Sequence, residues 1–127
     1  MSLTVEESTA SLGNPMTADC PGREVFDHIT GRWAMLILVA LQGGPVRFHK
    51  LRDGIEGVSE KMLSQTLKTL ARDGLVLRLV DPSVPPKVSY ALTDLGQGLA
   101  RQLSSLVQWI GDNIDSIVRA QQRGDQS

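Results

Sequence analysis

The sequence predicts a mainly α-helical domain with one small β-hairpin, and three observations carry that expectation. Apolar residues recur at helical spacing through most of residues 21–120. Two short stretches, 75–80 (LVLRLV) and 87–92 (KVSYAL), break the rhythm and read as strands, one by its continuous apolar run and one by alternation. The last periodic stretch, from Thr93 to about Ala120, would be a helix of ~40 Å at ~1.5 Å per residue, longer than the ~30 Å width of a small domain.

Residues 1–17, rich in Ser, Thr and Glu, read as a flexible tail. Pro21 suits the first turn of a helix, because it lacks an N–H that would be unsatisfied there. Cys20 or Asp19 is then the N-cap. Val25, Phe26 and Ile29, followed by Trp33, Leu36, Ile37, Ala40 and Leu41, keep helical spacing. Gly31 is expected to separate two helices, and Gly43-Gly44-Pro45 to end the second. The stretch 47–51 leads into a short helix with Phe48, Leu51 and Ile55 on its apolar side, and Gly54 and Gly57 bracket a tight turn.

Ser59 is a good N-cap for the next helix, 59–73. Met62, Leu63, Thr66, Leu67 and Leu70 form its inner face, and Gly74 is its stop. The two strands follow, joined by a stiff proline-rich loop over 81–86. Thr93 caps the long helix, whose stripe is Leu95, Leu99, Leu103, Leu106, Ile110, Ile114 and Ile117. That spacing averages close to 3.6, so the stripe stays on one face. Gly96, Gly98 and Gly111 weaken the helix locally. Residues 121–127 are expected to be disordered.

This order of elements is that of a winged helix-turn-helix with a long C-terminal dimerisation helix. One domain over 18–120 accounts for the ordered chain. Its 127 residues suit a single core, and with 4% aromatics that core must be aliphatic.

Composition narrows the function. No stretch reaches the ~18 apolar residues of a membrane span, and Glu6 and Glu7 stand where a signal peptide would be basic. A single cysteine cannot form an internal disulfide, so a reducing cytoplasm is the default. His28 and His49 with one cysteine make no familiar zinc set. No nucleophile–base arrangement, phosphate loop or paired carboxylates stand at mechanistic spacing, so neither an enzyme nor a cofactor site is expected. Trp33 and Tyr90 read as packing residues.

Net charge is −1, but it is unevenly spread. Residues 1–28 carry five acids and one base, whereas 47–87 carry eight bases against five acids. A bias of this kind can face phosphates. On helix 59–73 the outward residues are Ser59, Lys61, Ser64, Gln65, Lys68 and Arg72, a set of hydroxyls, an amide and cations suited to a major groove. Gln65 could pair with adenine, and the serines with base edges or phosphate. Arg78 and Lys87 near the hairpin would meet flanking backbone or minor groove, and Arg47 and Lys50 add cations before the turn. Glu60 is read as favouring the helix start through the dipole rather than as a reader of cytosine. The acidic tail and near-zero net charge keep one alternative open: a winged-helix protein–protein module that never reads DNA.

The ordered set Cys20-Pro21, Gly31-Arg32-Trp33, Phe48-His49-Lys50-Leu51, Gly57-Val58-Ser59-Glu60-Lys61-Met62-Leu63, Asp73-Gly74-Leu75-Val76, Arg78, Pro85-Pro86-Lys87-Val88-Ser89-Tyr90 and Leu92-Thr93 resembles the HxlR type of MarR-like bacterial transcription regulators. It departs at Ser89 and Ala71, where acids are frequent. The resemblance implies a homodimer on a palindromic double-stranded DNA operator in the bacterial cytoplasm. It also implies that a cysteine near the first helix can sense oxidants or electrophiles such as quinones and aldehydes. Cys20 stands at that place. A helix N-terminus and Arg23 would favour its thiolate, and Asp19 would oppose it.

Overall fold

The computed structural model describes residues 12–126. Among them are five α-helices, α1 (Pro21–Ile29), α2 (Arg32–Ala40), α3 (Phe48–Gly54), α4 (Glu60–Arg72) and α5 (Asp94–Gln126), and three strands, β1 (Val46–Arg47), β2 (Val76–Asp81) and β3 (Lys87–Leu92). The fold is a mainly helical winged helix-turn-helix, as expected, with two local differences. The sheet has three antiparallel strands in the order β1-β3-β2 rather than a bare hairpin. The extra strand is two residues long, Val46 opposite Tyr90 and Arg47 opposite Ser89, too short to leave any alternation in sequence. The last helix also continues to Gln126, so residues 121–126 are helical where disorder was expected. Of the tail expected over 1–17, residues 1–11 lie outside the described residues. Residues 14–17 close a turn in which the Thr17 amide donates to the Asn14 carbonyl at 3.2 Å.

The core is aliphatic. Ala34, Ile37 and Leu38 of α2, with Leu41 after it, face Leu63, Leu67 and Leu70 of α4, and Leu51, Ile55, Leu75 and Val76 close the sides. Each fully buried leucine stabilises by about 2 kcal/mol, so α4 is held firmly from behind. Trp33 and Tyr90 pack against this cluster while remaining partly exposed, the packing role expected of them.

The wing is locked to the helices at one junction. Helix α4 ends at Asp73, and Gly74 takes φ +77°, the left-handed conformation glycine adopts without strain. The Leu75 amide then bonds the Leu70 carbonyl, and the Gly74 amide that of Ala71, both at 3.0 Å. These are the two bonds of a Schellman motif, and Leu70 and Leu75 add its apolar contact. Across the sheet, the Thr93 hydroxyl donates to the Gly74 carbonyl at 2.6 Å and accepts from the Gly96 amide at 3.0 Å. Gly96 lies directly on this turn: a Cβ there would stand 2.0 Å from the Leu75 carbonyl oxygen. The glycine that weakens the helix in isolation is what lets α5 dock.

The stripe of α5 divides. Leu99 and Leu103 pack on the core, and Gly96 and Ala100 are buried. Leu95, by contrast, points outward at 66% exposure, and Leu106, Ile110 and Ile114 are also exposed. The first turn touches the domain through its small residues, not through Leu95.

Gly96→Ala is therefore expected to destabilise the protein by at least about 3 kcal/mol, because backbone rather than a flexible side chain must move. Gly98→Ala, whose Cβ would meet only the Arg101 side chain at 3.8 Å, should stabilise it by up to ~1 kcal/mol. Denaturant unfolding of the two variants checks both signs.

Candidate nucleic-acid interface

Helix α4 is presented by contacts at both ends. At its start the Ser59 hydroxyl accepts from the Met62 amide at 3.1 Å, so Ser59 is the cap the sequence suggested. Glu60, next in line, has a different partner. Its Oε1 accepts from the guanidinium of Arg52 in the last turn of α3, and the Arg52 Nε donates to Asp53 Oδ1 at 3.1 Å. The bonds to Glu60 and then Asp53 raise the pKa of Arg52 further above its ordinary value. At the far end the C-cap residue Asp73 meets His28 of α1, with Oδ2 2.7 Å from Nδ1. This contact ties α1 to the end of α4. Sequence gave no sign of it, because the two residues are 45 positions apart.

With Leu63, Leu67 and Leu70 facing inward, the 3.6-residue period turns Lys61, Gln65, Lys68 and Arg72 directly outward, and all four are exposed. Ser64 and Gln65 border different hollows. Ser64 lines an open cleft of about 430 Å³ between α4 and the wing, shared with Arg47, His49, Arg78, Lys87 and Tyr90. Gln65 lies on the other flank, beside Met62, Thr66, Arg32 and Trp33.

The cleft is built by the sheet. Val76, Arg78 and Val80 pair with Leu92, Tyr90 and Val88, so these six share one face of the hairpin. Val76 is buried, which turns that face toward the helices and carries Arg78 to the cleft. Beneath it Tyr90 meets Phe48 with ring centroids 6.4 Å apart. The short β1 brings Arg47 alongside, and Arg47 and Lys50 share a second hollow with Ser89. Four of the ten residues named from sequence, Ser64, Arg47, Arg78 and Lys87, thus meet at one cleft. Lys61, Gln65, Lys68 and Arg72 cover the outer face of α4, Ser59 caps it, and Lys50 stands just beyond Arg47. His49 was not among them, and its place in the cleft follows from a strand too short to be read.

Charge is sorted on this surface. Of the five acids between 47 and 87, Asp53 and Glu60 hold Arg52, Asp73 holds His28, and Asp81 accepts from the Ser83 amide. Of the eight bases only Arg52 has an acidic partner among the described residues. Arg47, Lys50, Lys61, Lys68, Arg72, Arg78 and Lys87 are left with open charges.

Cys20 is half-buried at the start of α1, where its sulfur accepts from the Arg23 amide at 3.4 Å and lies 3.1 and 3.3 Å from the Thr17 and Asn14 carbonyls. Exposed apolar residues run along α5 (Leu106, Val107, Trp109, Ile110, Ile114 and Val118), with Val25, Phe26 and Leu36 on α1 and α2. No helix among the described residues is long and apolar enough to cross a membrane, and no cluster of potential ligands for a metal ion occurs among them.

Comparison with known proteins agrees with this architecture. The family model described as HxlR-like helix-turn-helix matches residues 28–118. The chain is 47% identical over 106 residues to the HTH-type transcriptional regulator YtfH of Escherichia coli (strain K12), covering 84% of each chain. Among solved structures it is similar to the transcriptional regulator ytfH from Salmonella typhimurium, with TM-score 0.82 and 44% identity over 87% of this chain and 98% of that one. It is also similar to the redox regulator HypR in its reduced form, with TM-score 0.71 and 31% identity over 78% and 98%.

The seating of α4 is open to direct test. Ser59→Ala should cost about 1 kcal/mol through the lost cap, and Asp73→Ala about 1 kcal/mol through the lost partner of a half-buried imidazole. Urea unfolding should show both as a lower midpoint with an unchanged slope.

Proposed function

Because this chain belongs to the HxlR-like helix-turn-helix family and is a transcriptional regulator, we propose that it acts as a cytoplasmic homodimer reading a palindromic double-stranded DNA operator. The carrying observation is the sorting of charge. Seven cations on or beside α4 and the wing have no acidic partner among the described residues, while four of the five nearby acids are engaged. Open cations arranged around one exposed helix suit a polyanion better than a protein surface.

In this reading α4 enters the major groove. Gln65 and Ser64 face base edges, with Ser59 and Lys61 at the leading end. Lys68 and Arg72 hold one phosphate strand. Arg47, Lys50, Arg78 and Lys87 take the flanking backbone through the cleft between α4 and the wing. The exposed stripe of α5, with Val25, Phe26 and Leu36, is covered by the second copy. Two-fold symmetry then sets the reading helices ~34 Å apart, one turn of DNA.

Cys20 is the proposed input, responding to oxidants or electrophiles. Its half-buried sulfur caps α1, whose other end meets α4 through His28 and Asp73, and a redox regulator stands among the similar structures. With one cysteine per chain, the available chemistries are an adduct, a mixed disulfide, an intersubunit disulfide or oxidation of the sulfur itself.

Binding to the region upstream of the protein's own gene, titrated in rising salt, tests the central claim. Gln65→Ala should weaken discrimination at one base position by about 1–3 kcal/mol. Lys68→Ala should weaken binding to all sequences and reduce the salt slope by about 1. Absence of sequence preference at every salt concentration would refute DNA reading and favour a protein–protein module.

Ile110→Asp should yield monomers in sedimentation and lose most operator affinity. Diamide or a quinone should change operator affinity in the native protein and leave Cys20→Ser unmoved. An equal response in both would remove Cys20 from the input.

A further inference from the structure

The Arg52–Glu60 pair stands apart from every other charge on the candidate interface. It joins the last turn of α3 to the first turn of α4, across the turn of the helix-turn-helix. It places a carboxylate, not a cation, at the leading end of the helix proposed to enter the groove. The Arg52 guanidinium is itself fixed by Asp53, so it acts as a two-point clamp. The clamp engages only Oε1 of Glu60. Oε2 has no partner among the described residues, and the Glu60 side chain is 63% exposed.

The helix start does not need this carboxylate for capping, since Ser59 already supplies the acceptor. What remains is an oriented acceptor with no donor, at the tip of a DNA-facing helix. In a major groove such a group discriminates by chemistry. Cytosine offers an amino donor there, whereas guanine and thymine offer acceptors that repel a carboxylate. Adenine offers its amino group beside the N7 acceptor, which makes it a poorer match.

We propose that Glu60, oriented by Arg52, is a specificity-determining residue that selects cytosine at one position of each operator half-site, with Arg52 as its positioning residue. This rests on the DNA-reading function proposed above. It also accounts for Arg52, the single base of the segment withheld from phosphate: its charge is spent holding an acid that would otherwise meet the DNA backbone unneutralised.

The test is selection from a randomised duplex library by the full-length protein, followed by sequencing of the retained DNA. The native protein should enrich cytosine at one position per half-site. Glu60→Ala should reduce that preference by about tenfold and leave the other positions as they were. Glu60→Gln should pass the preference toward adenine, which an amide can pair through both its donor and its acceptor. Arg52→Gln should broaden the same position alone, and Arg52→Lys should restore part of it.

An unchanged profile in Glu60→Ala overturns the proposal, and so does a uniform loss at all positions, which would mark a structural role. If the native protein enriches no sequence, the DNA-reading function falls and this inference with it. Enrichment without cytosine dependence on Glu60 removes the inference alone.

Discussion

The structure depends on one backbone contact: the Leu75 carbonyl seated against the Cα of Gly96. Four elements meet there. The Schellman turn ends α4, Leu75 opens β2, Thr93 closes β3, and Gly96 lies in the first turn of α5. Each bond at the junction is ordinary in strength, about 1 kcal/mol net. Their combined effect is geometric. They set the angle of the wing against α4 and the angle of the long helix against both. A side chain at position 96 would push the long helix away from the strand that aims Arg78. The spacing between the outer face of α4 and the exposed stripe of α5 therefore traces to a residue that touches neither.

Electrostatics is arranged within that frame by engagement rather than by number. A net charge of −1 and a local excess of three bases would ordinarily describe an unremarkable surface. The difference lies in which charges have partners. Asp73 is turned inward to His28, Asp81 is folded into its own turn, and Asp53 and Glu60 are bound to one arginine. These contacts leave the overall excess of three bases unchanged; what they fix is placement, since seven cations on or beside α4 and the wing have no acidic partner among the described residues and act locally. Salt screens such exposed charges over ~8–10 Å, so this surface acts at close range. That range suits a ligand gripped in a cleft.

Most of the architecture was legible because it is periodic or punctuated. Pro21, Ser59, Gly74 and Thr93 mark boundaries for reasons internal to the backbone, and all four stand where the structure starts or stops an element. What stayed hidden was non-local. β1 has two residues and no period of its own; it exists because β3 offers it an edge. Gly96 carries the propensity of a helix breaker, and only the carbonyl opposite explains it. Leu95 matches the stripe by spacing yet lies outward, because the close approach at Gly96 turns the neighbouring position away. The outer face of α4 could be listed from sequence, but not the cleft, which needs strand register to bring Arg78 and Lys87 beside Ser64.

Cys20 illustrates how local chemistry and distant structure join. Its sulfur has two roles: it accepts from the Arg23 amide, and it lies against the carbonyls of Thr17 and Asn14, which its single proton can satisfy only one at a time. A sulfur that loses the proton still accepts from the Arg23 amide, but neither it nor an adduct can donate to the carbonyls. The immediate consequence falls on residues 14–19, which then rest on the bonds from the Arg23 guanidinium to the Pro15 and Met16 carbonyls. Helix α1 itself is only nine residues long, about 13 Å, and none of its residues is fully buried. Its tie to α4 is the contact between His28 and Asp73. Its far end sits at the C-cap of α4, where Ile29 also packs against the core. The same light packing leaves Val25 and Phe26 exposed, while Met35 and Leu36 of α2 share a hollow with Leu103, Leu106 and Ile110 of α5.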